Sequence, residues 1–138
     1  MRFRMLETLC VLLAATVWCA VSAQSSNFSP WVGVWQGELD GQPSVVLTLA
    51  EDTGTLEGTL VLNIINRDGG QPHVIAHEPH VLMQLRRDGS TLSFQLKRID
   101  GSTPPMEFTV KLAAPNSATI HCLNCGEDAP TVAIIKVD

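Results

Sequence analysis

Two neighbouring stretches of sequence decide the fold: TLSFQLKR at residues 91–98 and MEFTVKLA at residues 106–113. Apolar and polar side chains alternate in both, so that Leu92, Phe94 and Leu96 share one face of the first stretch. Alternation with a period of two is typical of antiparallel strands that bury one face and expose the other. The two stretches therefore predict a β-hairpin.

Similar short runs recur about every ten residues and are separated by turn signals such as Asp40-Gly41, Asp88-Gly89 and Asp100-Gly101. Evenly spaced strands without helical segments predict an all-β fold. We expect an eight-stranded antiparallel up-and-down meander, closed or nearly closed into a barrel. The expected strands are Trp31–Leu39, Ser44–Glu51, Leu56–Ile65, His80–Arg87, Thr91–Arg98, Met106–Ala113, Ala118–Cys122 and Thr131–Val137.

Residues 66–79 interrupt this regular spacing. They contain Asp68-Gly69-Gly70, two prolines and two histidines. This composition predicts either a long loop or a bulged extension of the next strand. A long connection in a tight meander is a natural place for function.

The first 23 residues have the pattern of a secretory signal peptide. Arg2 and Arg4 precede an apolar stretch, Leu9–Ala20, which ends in small residues before position 24. A retained N-terminal anchor is the alternative interpretation. We expect a signal peptide over 1–23, a flexible leader over 24–30 and a single β-barrel domain over 31–138. The mature protein is then secreted or periplasmic and free of the membrane.

The charge of the chain argues against nucleic acid as a partner. The whole chain has a formal net charge of −5, and loss of Arg2, Arg4 and Glu7 with the signal peptide changes it to −6. A mild acidic excess favours solubility and disfavours binding to phosphate backbones. The remaining 115 residues are enough for one domain with its own core.

The start of the first strand, Gly33-Val34-Trp35-Gln36-Gly37, resembles the opening of calycin-like barrels, the lipocalins and avidins. A closer resemblance runs through most of the mature chain, including WQGEL at 35–39, LEGTL at 56–60 and DGSTLSF at 88–94. It is to a group of small secreted bacterial β modules. This resemblance implies secretion and a β fold, and it implies no catalytic residue.

Two tryptophans in the first strand and several inward-facing apolar residues are candidate ligand contacts. Trp31 and Trp35 have the same parity, so they either plug one end of the barrel or offer a stacking surface to a ring. The other candidates face the barrel interior. The complete candidate set is Trp31, Trp35, Leu60, Leu62, Phe94 and Phe108.

Cys122-Leu123-Asn124-Cys125-Gly126 is the most specific local pattern. In an oxidising compartment, two cysteines three positions apart most simply form a small disulfide, which contributes about 2 kcal/mol on a chain-entropy estimate. A redox pair and half of a zinc site are the alternatives. We expect a disulfide between Cys122 and Cys125.

A histidine cluster is the other candidate for chemistry. His73 and His77 lie too far apart along an extended chain to hold one ion. His77, Glu78 and His80 converge on a metal only if Pro79 kinks the strand, and solvated side chains without a ligand are the expected state. We therefore expect no cofactor.

The sequence favours a non-enzymatic binding module. Motifs for nucleophilic catalysis or phosphate binding are missing from it. The first functional hypothesis is a small apolar ligand inside the barrel, since eight-stranded barrels can hold one. The alternative is a module that binds a secreted protein, for example as an enzyme inhibitor, through the 66–79 loop.

Overall fold

The computed structural model describes Phe28 and residues 30–137, and within this part of the chain it contains nine β-strands and no helix. The all-β prediction is confirmed. The predicted signal peptide over 1–23 lies outside the described residues. The strands are β1 Gly33–Leu39, β2 Gln42–Asp52, β3 Thr55–Asn66, β4 His73–Val81, β5 Met83–Asp88, β6 Thr91–Leu96, β7 Met106–Ala114, β8 Ser117–Cys122 and β9 Thr131–Val137.

All nine strands belong to one antiparallel sheet with the order β4-β3-β2-β1-β9-β8-β7-β6-β5. Consecutive strands therefore pair with each other, as the short turns predict, except β4 and β5, and β1 also pairs with β9. The sheet curls into a half-barrel, and its two edges are β4 and β5. The prediction of eight strands in a closed or nearly closed barrel was wrong.

The chain crosses from one edge of the sheet to the other through a single residue, Leu82. Among the described strands, β4 pairs only with β3, whereas β5 pairs only with β6. The Leu82 N–H donates instead to the Gly58 carbonyl oxygen at 3.0 Å. The predicted strand His80–Arg87 therefore runs from the end of β4 through most of β5. These two strands have different partners, and this is why the sheet stays open there.

The predicted long loop over 66–79 is mostly strand. β4 begins at His73, which leaves only residues 67–72 as a connection. Of the two sequence interpretations, the extension of the next strand is the correct one. Pro79 is accommodated because β4 is an edge strand, where a missing N–H breaks no ladder.

Apolar side chains fill the centre of the half-barrel. Trp31 and Trp35 are each 1% exposed, and the indole N–H of Trp35 donates to the Trp31 carbonyl oxygen at 2.8 Å. Rings of Phe94 and Phe108 stack with centroids 5.6 Å apart. The rest of this core consists of Val45, Leu47, Leu49, Leu56, Leu60, Leu92, Leu96, Val110, Ala118, Ile120, Cys122, Val132 and Ile134.

The described part of the predicted flexible leader lies against the domain. The Phe28 carbonyl accepts hydrogen bonds from the N–H groups of Trp31 and Val32 at 2.8 and 3.2 Å. The Pro30 carbonyl accepts one from the Lys136 ammonium at 2.8 Å. Among the described residues, no helix is long and apolar enough to cross a membrane.

Candidate functional site

A cavity of about 500 Å³ lies at one end of the half-barrel, which we call the mouth. The β1–β2 turn and the 123–130 loop lie at this end. Most of the wall is apolar, and its size is typical of sites for small organic molecules. The lining residues are Leu39, Ser44, Val45, Leu62, Asn63, Phe108, residues 120–122, residues 125–130 and Val132.

The strands leave space at the mouth because the β1–β2 ladder is irregular there. The register shifts between Gly37 and Glu38, so that Gly37 is opposite Val45 and Glu38 is opposite Pro43. Ser44 is the extra residue of this bulge and is only 6% exposed. Among the described residues, its hydroxyl oxygen has no hydrogen-bond partner. The cavity wall thus contains one buried polar group that the protein leaves unsatisfied.

The 123–130 loop forms one wall of the cavity and is fixed by several contacts. Cys122 and Cys125 form a disulfide with 5.6 Å between their Cα atoms, which confirms the predicted pair. The Asn124 side chain accepts a hydrogen bond from the Glu107 N–H at 2.9 Å and donates one to the Pro105 carbonyl at 2.9 Å. The disulfide and these hydrogen bonds hold the loop in place. The cavity keeps its shape because this wall is fixed.

The charges on the cavity wall are all negative. Glu127 and Asp128 line it, and none of the lysines and arginines that the structure describes does. Asp40, in the nearby β1–β2 turn, differs from them because it forms an ion pair with Arg67. His121 also lines the cavity, but its Nδ1 lies 3.3 Å from both the Pro130 carbonyl and the Thr131 hydroxyl. The mouth therefore offers an apolar interior and an acidic rim.

The six predicted ligand contacts divide into two groups. Leu62 and Phe108 line the cavity at the mouth. Trp31, Trp35, Leu60 and Phe94 lie in the filled centre, each no more than 2% exposed. Both tryptophans therefore lie in the core and do not offer a stacking surface to a ligand.

The histidine cluster is divided between the two faces of β4. His80 and Glu78 are opposite Leu60 and Leu62 on the inner face, with 3.8 Å between His80 Nε2 and Glu78 Oε2. His77 lies on the outer face, where its Nδ1 is 2.7 Å from the Asn63 side-chain oxygen. Pro79 does not bring the three together. In the described part of the chain, no group of three potential ligands is placed to hold a metal ion.

A second hollow, of about 700 Å³, lies at the opposite end of β3, beside Leu82. Its walls include the exposed side chains of Thr48, Glu57 and Thr59. Six of its ten lining residues are exposed, compared with five of the sixteen at the mouth. The mouth is therefore the stronger candidate site.

Sequence reasoning missed Ser44, Asn124 and the two acidic residues of the loop. Alternation cannot identify Ser44, because the bulge shifts the register by one residue at this point. Asn124 stands between the two cysteines, and this position was the only available signal. Glu127 and Asp128 look like ordinary solvated acids until the loop is placed over the mouth.

No family model, curated protein or solved structure matches this chain. The resemblance to small secreted β modules and to calycin-like barrels therefore stays a prediction.

Proposed function

We propose that this protein is a secreted, non-enzymatic binding module that takes a small, mainly apolar molecule into the cavity at the mouth. The observation that carries the proposal is the contrast within one sheet. The centre is filled with side chains, whereas the mouth has about 500 Å³ of space between apolar walls. Small-molecule sites commonly have this combination of size, apolar lining and few polar groups. The predicted signal peptide accounts for export of the module.

The test is a variant that fills the cavity. Leu62 is half-buried and lines it, so Leu62→Trp places an indole in the space. Leu112→Trp is the matched control, because Leu112 is also half-buried but does not line the cavity. Binding of the neutral dye N-phenyl-1-naphthylamine is followed by fluorescence, and the folded state by circular dichroism.

We expect the Leu62→Trp variant to lose dye binding by at least about tenfold, which is 1.4 kcal/mol, and the Leu112→Trp variant to keep it. Native mass spectrometry of protein from its own host should show a bound molecule that the Leu62→Trp variant lacks. Failure of the wild type to bind dye or any co-purifying molecule would contradict the proposal. So would equal binding by the two variants.

A protein-interaction module is the second candidate function. One observation places its interaction surface at an edge of the sheet instead of the predicted 66–79 loop. β4 has a free edge, and Ile75 and Val81 on it are 57% and 72% exposed. Free edges with apolar side chains are the places where a partner can add a strand. Such a partner would be another secreted protein.

A further inference from the structure

We propose that the cavity at the mouth selects an organic cation, a molecule with an apolar body and an ammonium group. This inference rests on the proposed function, since it names the class of ligand for the same cavity. The charges on the cavity wall support it. Glu127 and Asp128 are the carboxylates there, and the lining residues within the described part of the chain include neither lysine nor arginine.

The two carboxylates are not neutralised by the described part of the protein. Arg67 forms an ion pair with Asp40, and His80 Nε2 lies 3.8 Å from Glu78 Oε2, so neither of these basic groups is paired with Glu127 or Asp128. Arg98 approaches the same loop, but its guanidinium donates to the Pro104 and Asn124 carbonyls at 2.9 and 3.4 Å. An acidic rim with no cation of its own attracts a positively charged ligand and repels an anionic one.

A second observation points independently to a ligand with a hydrogen-bonding group. Ser44 lines the cavity, is more than nine-tenths buried, and its hydroxyl oxygen has no hydrogen-bond partner among the residues that the structure describes. Burying a hydroxyl group without a hydrogen-bond partner is unfavourable. A purely hydrocarbon ligand would not relieve this desolvation cost, because it has no hydrogen-bonding group. This hydroxyl oxygen is covered in the structure, and a rotation of the Ser44 side chain would turn it toward the cavity, where it can accept from an ammonium N–H.

The apolar part of the wall sets the size of the ligand body. Leu39, Val45 and Leu62 come from one side of the half-barrel, and Phe108, Ile120 and Val132 come from the other. A short alkyl chain or a single ring fits between them in about 500 Å³. The apolar contacts supply affinity, and the rim carboxylates discriminate between ligand charges.

The experiment compares octylammonium, octanol and octanoate, which share one apolar chain and differ in charge. Calorimetry measures their affinities at neutral pH and at low and high salt. The key variant is Glu127→Gln/Asp128→Asn, and the matched control is Asp52→Asn/Glu57→Gln, which neutralises two exposed acids at the opposite end of the sheet.

We expect octylammonium to bind about five- to tenfold more tightly than octanol, and octanoate to bind most weakly. High salt and the Glu127→Gln/Asp128→Asn variant should both reduce this preference, and the control variant should keep it. Equal binding of all three compounds to wild type and variant would overturn the inference and leave the proposed function intact. If none of the three binds, the proposed function fails with it.

Discussion

The centre of the half-barrel and its mouth are built by the same strands, but only the centre is filled. At the centre, β1 contributes Trp35 and β6 contributes Phe94, which belong to the same buried cluster as Leu47 and Leu60. At the mouth, the β1–β2 bulge places Ser44 on the wall, and a loop replaces strand pairing. Stability therefore comes from the centre, and space for a ligand comes from irregularities at one end.

The largest expected effect comes from removing one of the two tryptophans of the centre. Trp35→Ala deletes a fully buried indole and its hydrogen bond to the Trp31 carbonyl. We expect the free energy of unfolding to fall by about 3–5 kcal/mol, as for other large-to-alanine changes in cores. Urea denaturation followed by circular dichroism measures the change.

Ile135→Ala is the matched control, because Ile135 lies in β9 but is 59% exposed. It should cost less than about 1 kcal/mol, as surface substitutions usually do. Similar losses in the two variants would mean that the centre is not the source of stability.

The second prediction concerns the wall of the mouth. Asn124→Ala removes both side-chain hydrogen bonds that tie the 123–130 loop to Glu107 and Pro105. We expect a loss of about 1–3 kcal/mol in the free energy of unfolding, because backbone groups lose their partners. Ligand affinity at the mouth should fall as well, and titration with the neutral dye measures it.

Asn116→Ala tests whether the effect belongs to this loop. Asn116 is exposed in the β7–β8 turn, at the end of the sheet opposite the mouth. Its replacement should change stability by less than about 0.5 kcal/mol and leave dye binding unchanged. If Asn124→Ala keeps wild-type stability and affinity, the disulfide alone is sufficient to fix the wall.

Sequence reasoning succeeded where one physical rule decides the structure. Alternation predicts β6 and β7, and positive backbone angles at Asp40 and Gly41 fit the turn predicted there. The pairing of Cys122 with Cys125 follows from their spacing. Each of these features depends on residues close together in the chain.

Sequence reasoning failed, or left alternatives open, where distant parts of the chain decide the structure. Residues 73–81 contain Pro79 and little alternation, so that a loop and an extended strand were both open, and they form a strand because β3 offers an unpaired edge. Closure of the barrel depends on whether β4 also pairs with β5, and Leu82 joins them end to end instead. The cavity depends on a bulge and on the placement of a loop, and neither has a sequence pattern.

The smallest predicted effect compares the two buried polar groups that lack partners in the described part of the protein, Ser44 at the mouth and His80 on the inner face of β4. His80 is 7% exposed and lies opposite Leu60, in surroundings that suit an apolar side chain. His80→Leu removes the unsatisfied ring nitrogen and should raise the free energy of unfolding by about 1 kcal/mol. Ser44→Ala should raise it by less, because alanine buries little additional apolar surface. Thermal unfolding of both variants at neutral pH measures the difference.

A His80→Leu variant that is less stable than wild type would contradict this prediction. It would show that the 3.8 Å approach of His80 Nε2 to Glu78 Oε2 is a stabilising contact, and that the fold depends on His80.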